Sequence, residues 1–124
     1  ENLLFFDMFV MLMRLAYTRD VKNLNKWSEA VYAYGRDKQK RMLIYFNRMV
    51  RESFVYNFHH AELNYMTQDE ENFSKNFARF INEANVIEIS EMLALAQRDI
   101  AQNANAKIVF FDMALQMIVL LKRK

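Results

Sequence analysis

Residues 37–58, DKQKRMLIYFNRMVRESFVYNF, are the stretch that decides the fold. They run for about six helical turns without a glycine or a proline. Apolar side chains recur there three or four positions apart, which places them on one face of a helix. The spacing therefore predicts a long amphipathic helix that buries this face. Its members are Met42, Leu43, Tyr45, Phe46, Met49, Val50, Phe54 and Phe58.

The composition of the whole chain indicates the same fold class. The 124 residues include one glycine, Gly35, and neither proline nor cysteine. Sheets and long loops need turn residues, which are almost absent, whereas helices do not. We therefore expect an all-α, compact bundle of five to six helices in one domain, residues 1–124. The absence of cysteine excludes disulfides, thiolate catalysis and Cys-ligated zinc.

Capping residues divide the rest of the chain into further predicted helices. Thr67 and Glu70 form a capping box, and Asn85 followed by Glu88 repeats it. Gly35 is expected to end the second helix in a left-handed conformation. Asp20 and Asn105 are expected to cap the second and last helices. The predicted helices cover residues 3–18, 22–34 and 37–58, two segments that begin after Thr67 and Asn85, and a last one ending near residue 121, with residues 59–66 as a connection.

Charge and hydropathy give no reason to place the chain in a membrane. The formal net charge of +2 is too small to indicate nucleic-acid binding by itself. The apolar runs 3–17 and 108–121 are interrupted by charged residues such as Arg14 and Asp112, and both are shorter than the roughly 20 residues that span a bilayer. Since no signal peptide is visible either, we expect a cytoplasmic location. The chain does not begin with Met, so we expect a C-terminal fragment of a longer protein.

No arrangement of residues typical of an enzyme is visible. A phosphate-binding loop needs several glycines, and the four serines of the sequence fall within predicted helices. His59 and His60 near Glu62 could form a metal site, but adjacent helical residues point about 100° apart, and we favour a polar connection. We therefore predict no catalytic, cofactor-binding or metal-ligating residue. The serines are Ser28, Ser53, Ser74 and Ser90.

Two features allow more than one interpretation. A basic cluster, defined as Arg36, Lys38, Lys40 and Arg41, lies at the start of the third predicted helix. It is either a solvated helix end or a contact for an acidic partner or a nucleic-acid backbone. The first and last predicted helices are apolar on almost every side, and a domain of this size has little room to bury two such helices. Either both lie within the bundle or their surplus surface packs on another protein.

The C-terminal third of the chain resembles a known family. The turn Asn103-Ala104-Asn105-Ala106-Lys107, followed by the apolar Ile108-Val109-Phe110-Phe111-Asp112, is similar to the final helical hairpin of bacterial clamp-loader subunits. Residues 35–40, Leu43 and residues 48–52 extend the resemblance over nearly the whole chain, to the C-terminal collar domain of the DNA polymerase III delta prime subunits of Bacteroidetes. Ala106 stands where this turn often carries proline.

The resemblance implies an oligomerisation (scaffold) function. Collar domains of this family associate in a ring of five subunits that supports loading of the sliding clamp onto DNA during replication. Their ATP-binding and zinc-binding parts lie upstream in the full-length proteins, so no such residue is carried over. On this basis we expect contacts with other clamp-loader subunits, no membrane or small-molecule partner, and only indirect contact with DNA. The expected contact residues are Lys107, Phe110, Phe111 and Gln116 on the last helix, and Arg36, Lys40 and Arg41.

Two other classes of function remain as alternatives. A helical nucleic-acid-binding domain would use the basic cluster, and its binding would weaken as salt is added. A helical-bundle enzyme or ligand carrier would need convergent acids or histidines, and the sequence offers none that we recognise.

Overall fold

The prediction of an all-α fold is confirmed by a computed structural model of the chain, which describes residues 1–58 and 65–124. The described residues form a compact bundle with one short 3-10 turn (Ala78–Phe80). The predicted helix ends agree with the observed ones to within a few residues. The helices are α1 (Asn2–Tyr17), α2 (Val21–Tyr32), α3 (Arg36–Tyr56), α4 (Gln68–Phe77), α5 (Val86–Ala101) and α6 (Ala106–Leu120).

A cluster of aromatic rings lies at the centre of the core and joins four helices. The Phe9 and Phe46 ring centroids are 5.4 Å apart, which links α1 to α3. Trp27 of α2 stacks on Phe46 at 6.3 Å and meets Phe110 of α6 edge-on at 6.2 Å. The Trp27 indole nitrogen donates a hydrogen bond to the buried Met8 carbonyl at 3.1 Å. The ring is therefore both packed and satisfied as a donor, as a buried tryptophan needs to be.

Three of the predicted helix caps are confirmed. The Asp20 carboxylate accepts from an amide in the first turn of α2, and the Asn105 side chain does so in α6. At α4 the Thr67 hydroxyl accepts from the Glu70 amide at 3.2 Å, and the Glu70 carboxylate accepts from the Thr67 amide at 2.9 Å. Each bond satisfies a backbone donor that has no partner within its helix.

The predicted capping box at Asn85 is wrong. Asn85 is the residue before α5, but its side chain makes no cap there. The side chain is buried, and its Nδ2 donates to the Phe80 carbonyl at 2.8 Å and the Leu120 carbonyl at 2.9 Å. Its Oδ1 accepts from the Asn82 amide. Asn85 therefore joins the end of α6 to the 3-10 turn, which the local sequence pattern could not show.

Gly35 has the expected positive φ but a different position and conformation. α2 ends at Tyr32, and Ala33 follows it in a right-handed conformation. Gly35 lies one residue before α3 with φ 84° and ψ 163°, a combination open mainly to glycine. The predicted left-handed stop of α2 is therefore wrong, and Gly35 instead permits the sharp entry into α3.

Two further predictions bear on the connection and on membranes. His59, His60 and Glu62 lie outside the described residues, as does most of the predicted connection. Of the helices that the structure describes, none is both long enough and apolar enough to cross a membrane.

Candidate interaction surface

The last helix, α6, buries one side and leaves an apolar stripe on the other. Its inward side chains complete the core. On the outward side Ile108 is 66% exposed and Val119 is 59% exposed. Leu115 lies between them on the same face and is half-buried, and Phe111 and Ile118 flank this line. We call Ile108, Phe111, Leu115, Ile118 and Val119 the α6 stripe.

The α6 stripe explains why this helix looked apolar on every side. A helix at the edge of a bundle needs apolar residues on only about a third of its surface. α6 carries a full inward set in addition to the stripe. Apolar side chains of α6 are therefore exposed, and Leu3 and Met11 of α1 are exposed as well. The packing of this surface on another protein stays a prediction.

Phe110 is not part of this surface. Its ring is 0% exposed and packs edge-on against Trp27 in the core. The proposal that Phe110 contacts a neighbouring subunit is therefore corrected: its side chain cannot reach a partner without unfolding α6. The adjacent Phe111 is half-buried and remains at the edge of the stripe. Two neighbouring phenylalanines point about 100° apart, so they could not both face outward.

The polar residues predicted on α6 are exposed and have partners within the chain. Lys107 Nζ lies 3.2 Å from a Glu29 carboxylate oxygen of α2. Gln116 Nε2 donates to the Asp112 carboxylate at 2.8 Å, one turn earlier in α6. Both contacts are at the surface, where such pairs contribute about 0–1 kcal/mol and exchange easily for a partner's groups. Lys107 and Gln116 therefore remain available at the rim of the stripe.

Arg36 acts within the chain. Its guanidinium donates to the Ile100 carbonyl in the last turn of α5 at 2.9 Å and to the Ala104 carbonyl in the following turn at 3.0 Å. The side chain is partly buried in this position. It therefore ties the start of α3 to the turn between α5 and α6, and it is not a free surface cation as the sequence suggested.

The other members of the basic cluster also have neighbours within the chain. Arg41 forms two hydrogen bonds with the Glu1 carboxylate, at 2.8 and 2.9 Å, which raise the pKa of Arg41 and lower that of Glu1. Lys40 lies 3.7 Å from Asp37. The remaining member, Lys38, lies over the Tyr34 ring at 4.7 Å. Exposed pairs of this kind exchange easily for a partner's groups, so both interpretations of the basic cluster stay open.

One buried carboxylate is surrounded by hydrogen-bond donors. Glu70 accepts from the Tyr45 hydroxyl at 2.6 Å and from Arg48 at 2.8 Å, in addition to the Thr67 amide. Burial alone would raise the pKa of Glu70, but the bonds from Tyr45 and Thr67 and the charge of Arg48 lower it below its usual value. The pKa of Tyr45 is raised mainly by burial and to a smaller extent by its hydrogen bond to the Glu70 carboxylate. Both carboxylate oxygens accept hydrogen bonds, so this network fixes α4 on α3.

The serine hydroxyls of the described residues differ in their hydrogen bonding. The Ser28 hydroxyl donates to the Leu24 carbonyl of its own helix, and Ser90 donates to Asn47. Ser53 is fully buried, and its hydroxyl has no hydrogen-bond partner within residues 1–58 and 65–124. No histidine, aspartate or glutamate cluster in the described part of the chain could hold a metal ion.

Comparison with known proteins identifies no relative of the chain. No protein-family model, no curated protein and no solved structure matched the chain.

Proposed function

We propose that this chain is a helical assembly domain, not an enzyme, which packs on a neighbouring subunit through the α6 stripe. The observation that carries the proposal is the exposure of Ile108 and Val119 on a helix whose opposite side is already buried. The two residues are eleven positions apart, about 16 Å along the helix. Burying a side chain of this kind is worth about 1.5–3 kcal/mol, so a partner that covers the stripe gains substantially.

The resemblance to clamp-loader collar domains supports a more specific form of the proposal. In this form the neighbours are other clamp-loader subunits of bacterial DNA polymerase III, in a cytoplasmic complex that loads the sliding clamp. The turn that carries the resemblance has a defined conformation: Asn103 has a left-handed φ of 64°, and Asn105 caps α6. Both asparagines suit these positions because their side chains tolerate or satisfy the local backbone. The turn thereby sets the direction in which α6 presents its stripe.

The double variant Ile108→Ser/Val119→Ser tests the proposal. Both side chains are exposed, so we expect little loss of stability, and we expect co-purification with the delta and gamma or tau subunits of the same organism to be lost. A matched control is Val21→Ser/Leu95→Ser, which removes two exposed apolar side chains from α2 and α5. The control is expected to co-purify normally.

The readouts separate the general proposal from its specific form. Size-exclusion chromatography with light scattering measures self-association of the same variants. Loss of self-association without any binding to clamp-loader subunits would support assembly through α6 but exclude the clamp-loader identity. If stripe and control variants behave alike in both assays, assembly through α6 is excluded.

A further inference from the structure

A second basic surface lies at the opposite end of the chain from the basic cluster in α3. It is an open pocket of about 700 Å³ where the ends of α1 and α6 meet the 3-10 turn. It is lined by Tyr17, Arg79, Phe80, Asn82 and residues 121–124. Four of these side chains are cationic and none is acidic. We call this the C-terminal pocket.

Most of the cations in the C-terminal pocket have no counter-ion. Arg79, Lys122 and Lys124 make no ion pair or hydrogen bond through their side chains within residues 1–58 and 65–124. Arg123 differs, since it pairs with Glu88 of α5. In the α3 cluster, by contrast, three of the four cations have a carboxylate or carbonyl partner. Three cations without a counter-ion therefore line one pocket, whereas the α3 cluster has one, Lys38.

The last residues are attached to the fold and do not form a separate tail. The Arg123 carbonyl accepts a hydrogen bond from Asn82 Nδ2 at 2.8 Å. Together with the Arg123–Glu88 pair, this bond holds the segment beside the 3-10 turn. Because Leu121 is buried as well, Lys122 and Lys124 start from fixed backbone positions on one rim of the pocket.

An exposed aromatic ring completes the pocket. Tyr17 is 57% exposed, and its ring meets Phe80 edge-on at a centroid distance of 5.0 Å. The Arg79 guanidinium lies over the Phe80 ring, 5.0 Å from its centroid. The contact with Phe80 leaves much of the Tyr17 ring surface open. An open aromatic ring in the same pocket as cations without counter-ions is a combination that binds a base and its phosphates.

The cations also lie near the C-terminal ends of helices, whose dipoles attract positive charge. That attraction explains Lys122 beyond α6 and Arg79 beyond α4, but it does not require an exposed tyrosine in the same pocket. We propose that the C-terminal pocket binds single-stranded nucleic acid, with phosphates on Arg79, Lys122 and Lys124 and a base stacked on Tyr17. An acidic peptide would use the same charges but has no need of the ring. The proposal does not depend on the assembly function.

Fluorescence anisotropy with a labelled oligothymidine of about 15 nucleotides tests the proposal. Three phosphate contacts predict that the logarithm of the association constant falls with the logarithm of salt with a slope of about −2, a loss of roughly twentyfold between 50 and 200 mM NaCl. The variant Arg79→Gln/Lys122→Gln/Lys124→Gln should remove this salt-dependent binding. The matched variant Lys38→Gln/Lys40→Gln/Arg41→Gln removes the same residue types from the α3 cluster and should bind normally.

The contribution of the ring is tested separately. Tyr17→Ala should weaken binding roughly five- to a hundredfold, as expected for loss of one stacked base, while Tyr17→Phe should bind like the natural chain. The control is Tyr32→Ala, because Tyr32 is equally exposed, at 58%, but lies on α2 away from the pocket. Far-UV circular dichroism confirms that each variant is folded.

Three results would overturn the proposal. One is the absence of any anisotropy change at 50 mM NaCl, a concentration at which such contacts are strong. Another is equal loss of binding in the two triple variants, which would mean that net charge alone is sensed. The third is competition by oligoglutamate as effective as that by unlabelled oligothymidine, which would identify an acidic peptide as the ligand.

Discussion

Glu70 shows how one residue can join separate elements of this fold. Its carboxylate accepts bonds from Tyr45 and Arg48 of α3 and from the Thr67 amide at the start of α4. We expect Glu70→Gln to lower the free energy of unfolding by about 2 kcal/mol at pH 7, because the bond to a charged partner is lost in a buried site. Urea unfolding measures the change.

The pH dependence of this change has a defined sign. The pKa of Glu70 is lowered in the folded chain, so its contribution is complete above the pKa of the unfolded chain, about 4.3, and is lost as pH falls toward the folded value. The difference between the natural chain and Glu70→Gln should therefore shrink below about pH 4.5. The control Glu71→Gln removes a neighbouring first-turn charge and should cost about 0.5 kcal/mol. A difference that stays constant down to pH 3 would contradict the assigned role.

The C-terminal ends of the helices are closed without glycine. The backbone closes two of them without it, since Arg19 after α1 and Asn103 after α5 have left-handed φ values of 58° and 64°. Elsewhere a side chain from another element donates to carbonyls at or beyond a helix end. Gln39 donates to Val31, Asn57 to Ala78 and Ile81, and Asn85 to Leu120. The Val31, Ala78 and Leu120 carbonyls also accept a backbone amide, so each side chain adds a second hydrogen bond that ties the end to another element.

Arg36 is the charged member of this set, and its role can be tested. Arg36→Met keeps most of the side-chain length but removes both bonds to the end of α5. We expect a loss of about 2 kcal/mol and faster hydrogen exchange at the amides of residues 102–104, which close that helix end. The control Lys40→Met, at an exposed site, should change stability by less than about 0.5 kcal/mol. Unchanged stability together with weaker subunit binding would instead make Arg36 a partner contact.

The hydrogen bonds at the helix ends show which features the sequence could and could not predict. The helices and the caps at Asp20, Thr67 and Asn105 depend on residues within four positions, so local patterns predicted them. The bonds of Asn85 to Leu120 and of Arg36 to Ile100 join residues 35 and 64 positions apart, and no local pattern records them. The surface of α6 was predicted only in part for the same reason. Composition showed surplus apolar residues, but the position of α2 and Trp27 decided that Phe110 faces inward.

At the scale of the whole molecule, one continuous core holds the chain together. The buried cluster includes residues from all six described helices. α3 packs closely on α5, and α2 packs closely on α6, although these partners are far apart in the sequence. No group of helices has a separate core among the described residues. A domain of this size with one core is expected to unfold in a single cooperative step.

Trp27 reports directly on this cooperativity because it is the single tryptophan and lies at the centre of the core. We expect the urea transition followed by its fluorescence to coincide with that followed by far-UV circular dichroism. Phe110→Ala removes the ring that meets Trp27 and should lower the free energy of unfolding by about 3–5 kcal/mol, moving both transitions to the same lower midpoint. Ile108→Ala, on the exposed side of the same helix, should leave both midpoints nearly unchanged. If fluorescence changed while the helical signal remained, the core would not be continuous, and α6 would have to be treated as a helix that detaches from the bundle.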